Sequence, residues 1–306
     1  MKPFSLSYDV KNKCLSFVIQ QDINVDELLC HFHIGRKQRY FYYQQRLIQK
    51  NDAIITQSCR CQKADIIKIH CMHENYTKLI EWDQPLDVCY EDEVCLIVNK
   101  PSGILVHSDG NNQKHTLHNI VQAYYNRQEI DVPVRAIHRL DMDTSGLLFY
   151  CKLPFFQAYF DALLETKQIA RVYYAWAEGV IQKPITIEKA IARDRHQNKM
   201  RVSNKGASAE TKVVPLLHHQ NCTFVECHLK SGRTHQIRVH LSSIHHPLLS
   251  DQLYGHMHPQ AKRLALHAGK LQFTHPITNK TICVICPLPQ DMPYLNISRQ
   301  AQLKIG

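Results

Sequence analysis

Two short stretches concentrate the residues able to do chemistry. In the first, His138-Arg139-Leu140-Asp141-Met142-Asp143-Thr144-Ser145-Gly146, two carboxylates stand beside an imidazole and a guanidinium. Such a set fits metal ligands, a catalytic pair or the polar wall of a turn. Metal ligation by Asp141 and Asp143 needs further donors close by, and His138 is the one such neighbour. Thr144, Ser145 and Gly146 carry turn chemistry instead, with hydroxyls that cap backbone groups and a glycine that accepts unusual dihedrals. The second stretch, LKSGRTHQIRVHL over residues 229–241, reads as a loop entering a helix. Thr234 is the expected N-cap, and Ile237, Leu241 and Ile244 form one apolar stripe. Arg238 lies off that stripe and is free to project toward a site. A buried carboxylate stays ionised only beside a cation, and arginine offers a permanent charge in a two-pronged geometry. Arg238 or Arg233 is therefore the natural companion of Asp141.

The elements around these stretches alternate between strand and helix patterns. Apolar, β-branched runs predict strands over 95–99, 172–177, 222–227 and 281–285, while apolar spacings predict helices over 117–124 and 156–164. Asn99-Lys100-Pro101-Ser102-Gly103 is a sharp turn after a strand; it shapes a cleft and offers Lys100 as a phosphate contact. The expected fold class is α+β, a large, mainly antiparallel mixed sheet with flanking helices, preceded by a small α/β unit. Acids and a proline at 81–87 mark the boundary, giving domains 1–80 and 88–306. In the first of these, Arg36, Lys37, Arg39, Arg46 and Lys50 share an acid-free stretch with Tyr40, Phe41, Tyr42 and Tyr43. Basic groups that track phosphates beside rings that stack on bases describe an RNA surface; a solvated helix with aromatic core positions reads the same way.

Composition narrows the partner. The chain has 306 residues and a net charge of +10, which favours a polyanion because neutralising phosphates releases counterions. With no secretory-type leader before its twelve cysteines, reduced thiols in a cytoplasmic protein are expected. Cys283 and Cys286 sit in an apolar run that reads as core, and Cys59, Cys61 and Cys71 lack a fourth zinc ligand. No apolar run is long enough to span a bilayer.

HRLDMDTSG, LKSGRTHQIRVHL and HPLLSDQLYG, in that order, closely resemble the motifs of the RluA-type pseudouridine synthases. Arg171-Val172-Tyr173-Tyr174-Ala175 is similar to the family's K-x-Y-x-A strand, with arginine replacing lysine, and Leu266-His267-Ala268 with Phe273-Thr274-His275-Pro276 to its ending. The resemblance spans about residues 88 to 290; a degenerate resemblance to the S4 RNA-binding domain covers about 13 to 74. It implies isomerisation of uridine to pseudouridine in structured RNA, ribosomal rather than transfer RNA, by a monomer without metal or cofactor. The resemblance places the catalytic aspartate on Asp141, the active-site tyrosine on Tyr173 and the aspartate-pairing arginine on Arg238. It puts Arg139 into the RNA stack where the base has left, and Ile237 and Leu266 in the uracil pocket. RNA contacts are further expected from Arg233, Lys100, Arg36, Lys37 and Arg39. Ser231 replaces the usual threonine, and Ser250 stands where the family has glycine, a turn that serine strains. Two alternatives are an RNA-binding protein that keeps the fold without catalysis, and a metal-dependent hydrolase using Asp141 and Asp143.

Overall fold

The computed structural model describes residues 3–71, 76–110, 113–197, 199–294 and 296–298. A nine-stranded sheet carries the motif-bearing part of the chain. Its order runs Ile185–Glu188, Glu210–His219, Cys222–Leu229, Ala170–Glu178, Leu266–Thr274, Ser145–Cys151, Cys95–Lys100 and Val88–Glu91, with Thr281–Ile285 pairing to Leu266–Thr274. All pairs are antiparallel except that of Ser145–Cys151 with Leu266–Thr274. The mixed, mainly antiparallel sheet expected from the apolar runs is thus present. Its central strand Ser145–Cys151 is buried at every position, which accounts for an uninterrupted apolar sequence rather than an alternating one.

Alternation shows on the neighbouring Cys95–Lys100 strand. Leu96 and Val98 point into one apolar cluster, together with Leu148, Tyr173, Ile237 and Leu266 and with Leu117, Ile120 and Val121 of the helix Leu117–Arg127. Cys95 and Ile97 point into another, with Phe149, Phe160 and Phe273, under the helix Gln157–Glu165. That second cluster continues into the N-terminal unit, whose five-stranded sheet has the order Phe4–Asp9, Cys14–Ile19, Ile66–His70, Ile48–Lys50 and Ala53–Ile54. Two helices, Val25–His31 and Arg36–Gln44, accompany it. Phe155 packs on Phe32 at 5.5 Å and on Tyr42 at 6.0 Å between ring centroids. The two units therefore share one core, and aromatic contacts of this kind hold them in a fixed relation. The S4-like resemblance runs to residue 74, and its last three positions lie outside the described residues.

Two backbone details set the site strands in register. Gly146 has φ +113°, and a β-carbon there would stand 2.3 Å from the Ala268 carbonyl oxygen, so only glycine lets the strand after Asp141 reach its parallel partner. Between Val172 and Tyr173 the register to Leu266–Thr274 shifts by one, leaving Gly269 as the extra residue under the Tyr174 ring. Bulges re-aim side chains, and this one precedes Tyr173 directly.

Candidate active site

A cavity of about 830 Å³ opens where the loop 138–144, the strand Ala170–Glu178, the loop 230–235 and the helix Gln236–Ser242 converge. It is lined by Arg139, Asp141, Tyr173, Arg233, Ile237, Arg238 and Leu266, so seven residues singled out in the sequence meet in one place. Its size lies within the roughly 300–1,000 Å³ usual for ligand sites.

The Asp141 loop is gripped from behind by the turn after Cys95–Lys100. The Lys100 ammonium donates to the carbonyls of Pro101, Ile104 and Met142 at 2.8–2.9 Å, Gly103 N–H donates to the Met142 carbonyl at 2.9 Å, and Ser102 Oγ donates to the Asp143 carbonyl at 2.7 Å. Lys100 is fully buried, and burial draws its pKa down to about 7 against the pull of Asp143 and Asp141. Its three N–H groups are spent on backbone, so the phosphate contact expected of it is replaced by a loop-holding role. Strand-end lysines look alike in sequence whether they face solvent or backbone.

Asp141 is one-fifth exposed, with its Oδ2 3.8 Å from Arg238 Nη1 and 4.0 Å from His235 Nε2. Arg238 is buried, as the apolar stripe of Ile237, Leu241 and Ile244 leaves it on the inward flank of its helix. Its closest partner is a residue the sequence reasoning did not assign: Asp251, fully buried, accepts from Arg238 Nε at 2.8 Å and from Nη2 at 2.7 Å. Asp251 also accepts the N–H groups of Leu253 and Tyr254, and the Tyr254 ring lies 5.3 Å from the guanidinium carbon. Burial lowers the Arg238 pKa, but the bonds and charge of Asp251 and the charge of Asp141 raise it further, so the group stays cationic. Only the quoted HPLLSDQLYG motif signalled Asp251, and nothing in its spacing pointed to Arg238.

The helix N-cap is His235 rather than Thr234, in the left-handed region at φ +55°. Its Nδ1 lies 2.8 Å from the Tyr254 hydroxyl, which also accepts the Met200 N–H. Burial lowers the His235 pKa, Asp141 opposes this and Arg238 adds to it, favouring a neutral ring. Gln236 folds back onto the preceding loop: its Oε1 accepts from Ser231 Oγ and Arg233 N–H, and its Nε2 donates to the Glu210 carbonyl. Tyr173 is buried; burial raises its pKa, Arg171 counteracts and Asp141 reinforces, so the ring enters the cavity as a neutral phenol. Ser250 has φ +57°, the strain expected where serine replaces glycine, and its hydroxyl accepts from His258 N–H and donates to the Ala261 carbonyl.

The basic residues separate into two sets. Arg233 is exposed at the cavity rim with Nε on the Ser208 carbonyl, and Arg139 is exposed beside Asp141. Arg36 and Lys37 are exposed on the N-terminal unit, outside the cavity. Arg39 instead turns inward to Asp26 at 3.5 Å and to the Ile34 carbonyl at 3.2 Å, so the phosphate contact expected of it gives way to bracing within that unit. Arg171, the arginine in place of the motif's lysine and given no site role from the sequence, lines the cavity with its Nε buried and without a hydrogen-bond partner among the described residues. Among the described residues one trio could hold a metal, Asp92, Cys95 and His275, away from the cavity, and Asp92 already accepts from Tyr90, Val94 N–H and Cys95 N–H. Cys286 is buried as expected, but Cys283 is exposed on the outer face of its strand, because strand alternation separates residues three apart. No helix among the described residues is long and apolar enough to cross a membrane.

Comparison with known proteins agrees with the geometry. Residues 94–243 match the family model described as RNA pseudouridylate synthase. Over 252 residues the chain is 39% identical to a Bacillus subtilis (strain 168) protein, the uncharacterized RNA pseudouridine synthase YhcT, covering 81% of this chain and 83% of that one. It is 38% identical to the ribosomal large subunit pseudouridine synthase D of Neisseria meningitidis serogroup B, covering 69% of this chain and 60% of the relative. In fold it is similar to human RNA pseudouridylate synthase domain containing 1, with a TM-score of 0.57 at 24% identity over 75% of this chain and 90% of that one. The motif resemblance is borne out: the chain belongs to the RNA pseudouridine synthases, enzymes that isomerise uridine in RNA.

Proposed function

We propose that the protein converts a uridine of large-subunit ribosomal RNA to pseudouridine, with Asp141 as the catalytic carboxylate. One observation carries the reading: a partly exposed Asp141 in a cavity faced by a buried arginine whose strongest bonds go elsewhere. Arg238 faces the carboxylate at 3.8 Å without occupying both its oxygens, which leaves lone pairs for chemistry at C1′ or for taking a proton. In the isomerisation the N1–C1′ bond breaks, the C5–C1′ bond forms, C5 gives up its proton and N1 gains one. The base must leave the stack to be reached, and Tyr173, Ile237 and Leu266 supply an aromatic and apolar slot for it, while Arg139 fills the gap. Arg233, Arg36 and Lys37 contact phosphates. Ribosomal RNA is favoured by the name of the meningococcal relative. Mapping pseudouridines in total RNA from cells with and without the protein tests this: loss of a site in large-subunit RNA supports it, and loss confined to transfer RNA contradicts it.

A further inference from the structure

His235 stands at the start of the Gln236–Ser242 helix beside Asp141, and its two ring nitrogens have different surroundings. Nδ1 lies 2.8 Å from the Tyr254 hydroxyl. That hydroxyl oxygen accepts the Met200 N–H at 2.8 Å, and its own single proton needs an acceptor, for which Nδ1 is the partner among the described residues. Tyr254 O–H therefore donates to Nδ1, and in a neutral imidazole the ring proton then sits on Nε2. Burial, opposed by Asp141 and aided by Arg238, lowers the ring's pKa, so it carries only that one proton. Tyr254 is itself held in place, its N–H donating to the Asp251 carboxylate at 3.2 Å and its carbonyl accepting from Ser242 Oγ at 2.9 Å. Nε2–H is left facing the cavity: His235 lines it, its side chain is 19% exposed, and Nε2 stands 4.0 Å from Asp141 Oδ2, too far for a direct hydrogen bond.

A carboxylate oxygen only accepts, and this Nε2–H only donates. With 4.0 Å between them, one oxygen fits at hydrogen-bond distance from both, provided that it donates to the first and accepts from the second. A uracil carbonyl or a phosphate oxygen there would be repelled by the carboxylate, and N3–H has no lone pair to offer Nε2–H. A hydroxyl satisfies both, and a nucleotide within an RNA chain has one, on C2′, next to the reacting C1′. We propose that His235, fixed in this tautomer by Tyr254, donates Nε2–H to the 2′-hydroxyl of the target uridine, which donates in turn to Asp141 Oδ2, so that the pair selects RNA over DNA. Arg238 Nη1 faces the same Oδ2 at 3.8 Å, which leaves Oδ1 for the chemistry. The proposal rests on the reading of the cavity as the synthase site; it makes His235 a specificity-determining residue and Tyr254 the residue that positions it.

The test compares two stem-loops spanning the mapped uridine, one all-ribose and one with 2′-deoxyuridine at that single position. Binding is measured in the Asp141→Asn background, so that turnover does not intervene while an acceptor oxygen remains. The ribose form should bind about tenfold tighter, the value of one well-made hydrogen bond. Adding His235→Phe should abolish the preference, adding Tyr254→Phe should weaken it, and His235→Gln, whose amide donates from a similar place, should keep part of it. Circular dichroism confirms that the variants compared are folded. In nitrogen–proton correlation spectra of histidine-labelled parent protein, His235, assigned by its absence from His235→Gln, should carry its proton on Nε2. A proton on Nδ1 overturns the proposal, as does a full preference in folded His235→Phe, or no preference with His235 present, the outcome if water alone fills the gap. Turnover of the all-ribose stem-loop by the parent protein separates the two claims: turnover with a preference indifferent to His235 sinks the His235 role alone, whereas no turnover sinks the synthase reading and the proposal with it.

Discussion

Asp251 holds Arg238 through two parallel bonds of 2.8 and 2.7 Å, while the remaining nitrogen of the same guanidinium stands 3.8 Å from Asp141. One buried cation thus serves two acids unequally. The fully buried acid fixes its position, and the partly exposed acid receives its field but keeps its lone pairs. A two-pronged bond to Asp141 itself would occupy the lone pairs that the chemistry proposed for that carboxylate requires.

Removing the positioning acid should show this division. Asp251→Asn leaves Arg238 buried without its counter-charge, so we predict a stability loss of about 3 kcal/mol. Arg238 should then move onto Asp141, and turnover should fall by roughly 100-fold, the effect of an ångström-scale misplacement. Denaturant unfolding and single-turnover kinetics check both. Full turnover in a folded variant would remove Asp251 from the account.

Ser250, next to Asp251, is strained in its left-handed conformation but bonded through its hydroxyl. Ser250→Gly relieves the backbone while giving up the bonds, so stability should change little. Ser250→Ala gives up the bonds and keeps the strain, and should cost about 2 kcal/mol. Equal midpoints for the two variants would contradict the assigned strain.

The Asp92 cluster predicts a pH effect far from the cavity. Burial raises the Asp92 pKa, but bonds from His275, Tyr90 and the backbone of Val94 and Cys95 outweigh it and hold the group at about 2 against an ordinary 3.8. With a folded value below the unfolded one, its stabilisation is complete above 3.8 and fades as pH falls through 2. It amounts to about 2 kcal/mol. The stability gap between parent and Asp92→Asn should therefore narrow from pH 5 to pH 2; a constant gap would exclude the linkage.

On the N-terminal unit, Arg36 and Lys37 face solvent whereas Arg39 is spent on Asp26 and the Ile34 carbonyl. Replacing Arg36 and Lys37 by alanine should weaken RNA binding and flatten its salt dependence by about one slope unit for each lost phosphate contact. Arg39→Ala should instead lower stability and leave that slope alone. A slope unchanged by the double variant would end the case for an RNA surface there.

Four strands of the central sheet, Cys95–Lys100, Ala170–Glu178, Cys222–Leu229 and Thr281–Ile285, are legible as short apolar runs, and the Gln236–Ser242 helix because Ile237 and Leu241 keep helical spacing; Ser145–Cys151 is not, because its first residues read as a turn. What stayed hidden were pairings that depend on where distant loops come to rest. Arg238 chooses Asp251 over Asp141 only because the turn after Leu249 delivers a second acid beneath it. Lys100 and Arg39 are charged residues in basic company, and composition does not show that both turn inward. The shared core of the two units follows from Phe155 meeting Phe32 and Tyr42, a contact between segments more than 110 residues apart in the sequence.

The most direct test is tritium release from RNA labelled at uridine C5, with chelator present, by the parent protein and by Asp141→Asn. The account predicts release by the parent and none by the variant, with RNA affinity little changed. Turnover retained by Asp141→Asn would contradict it.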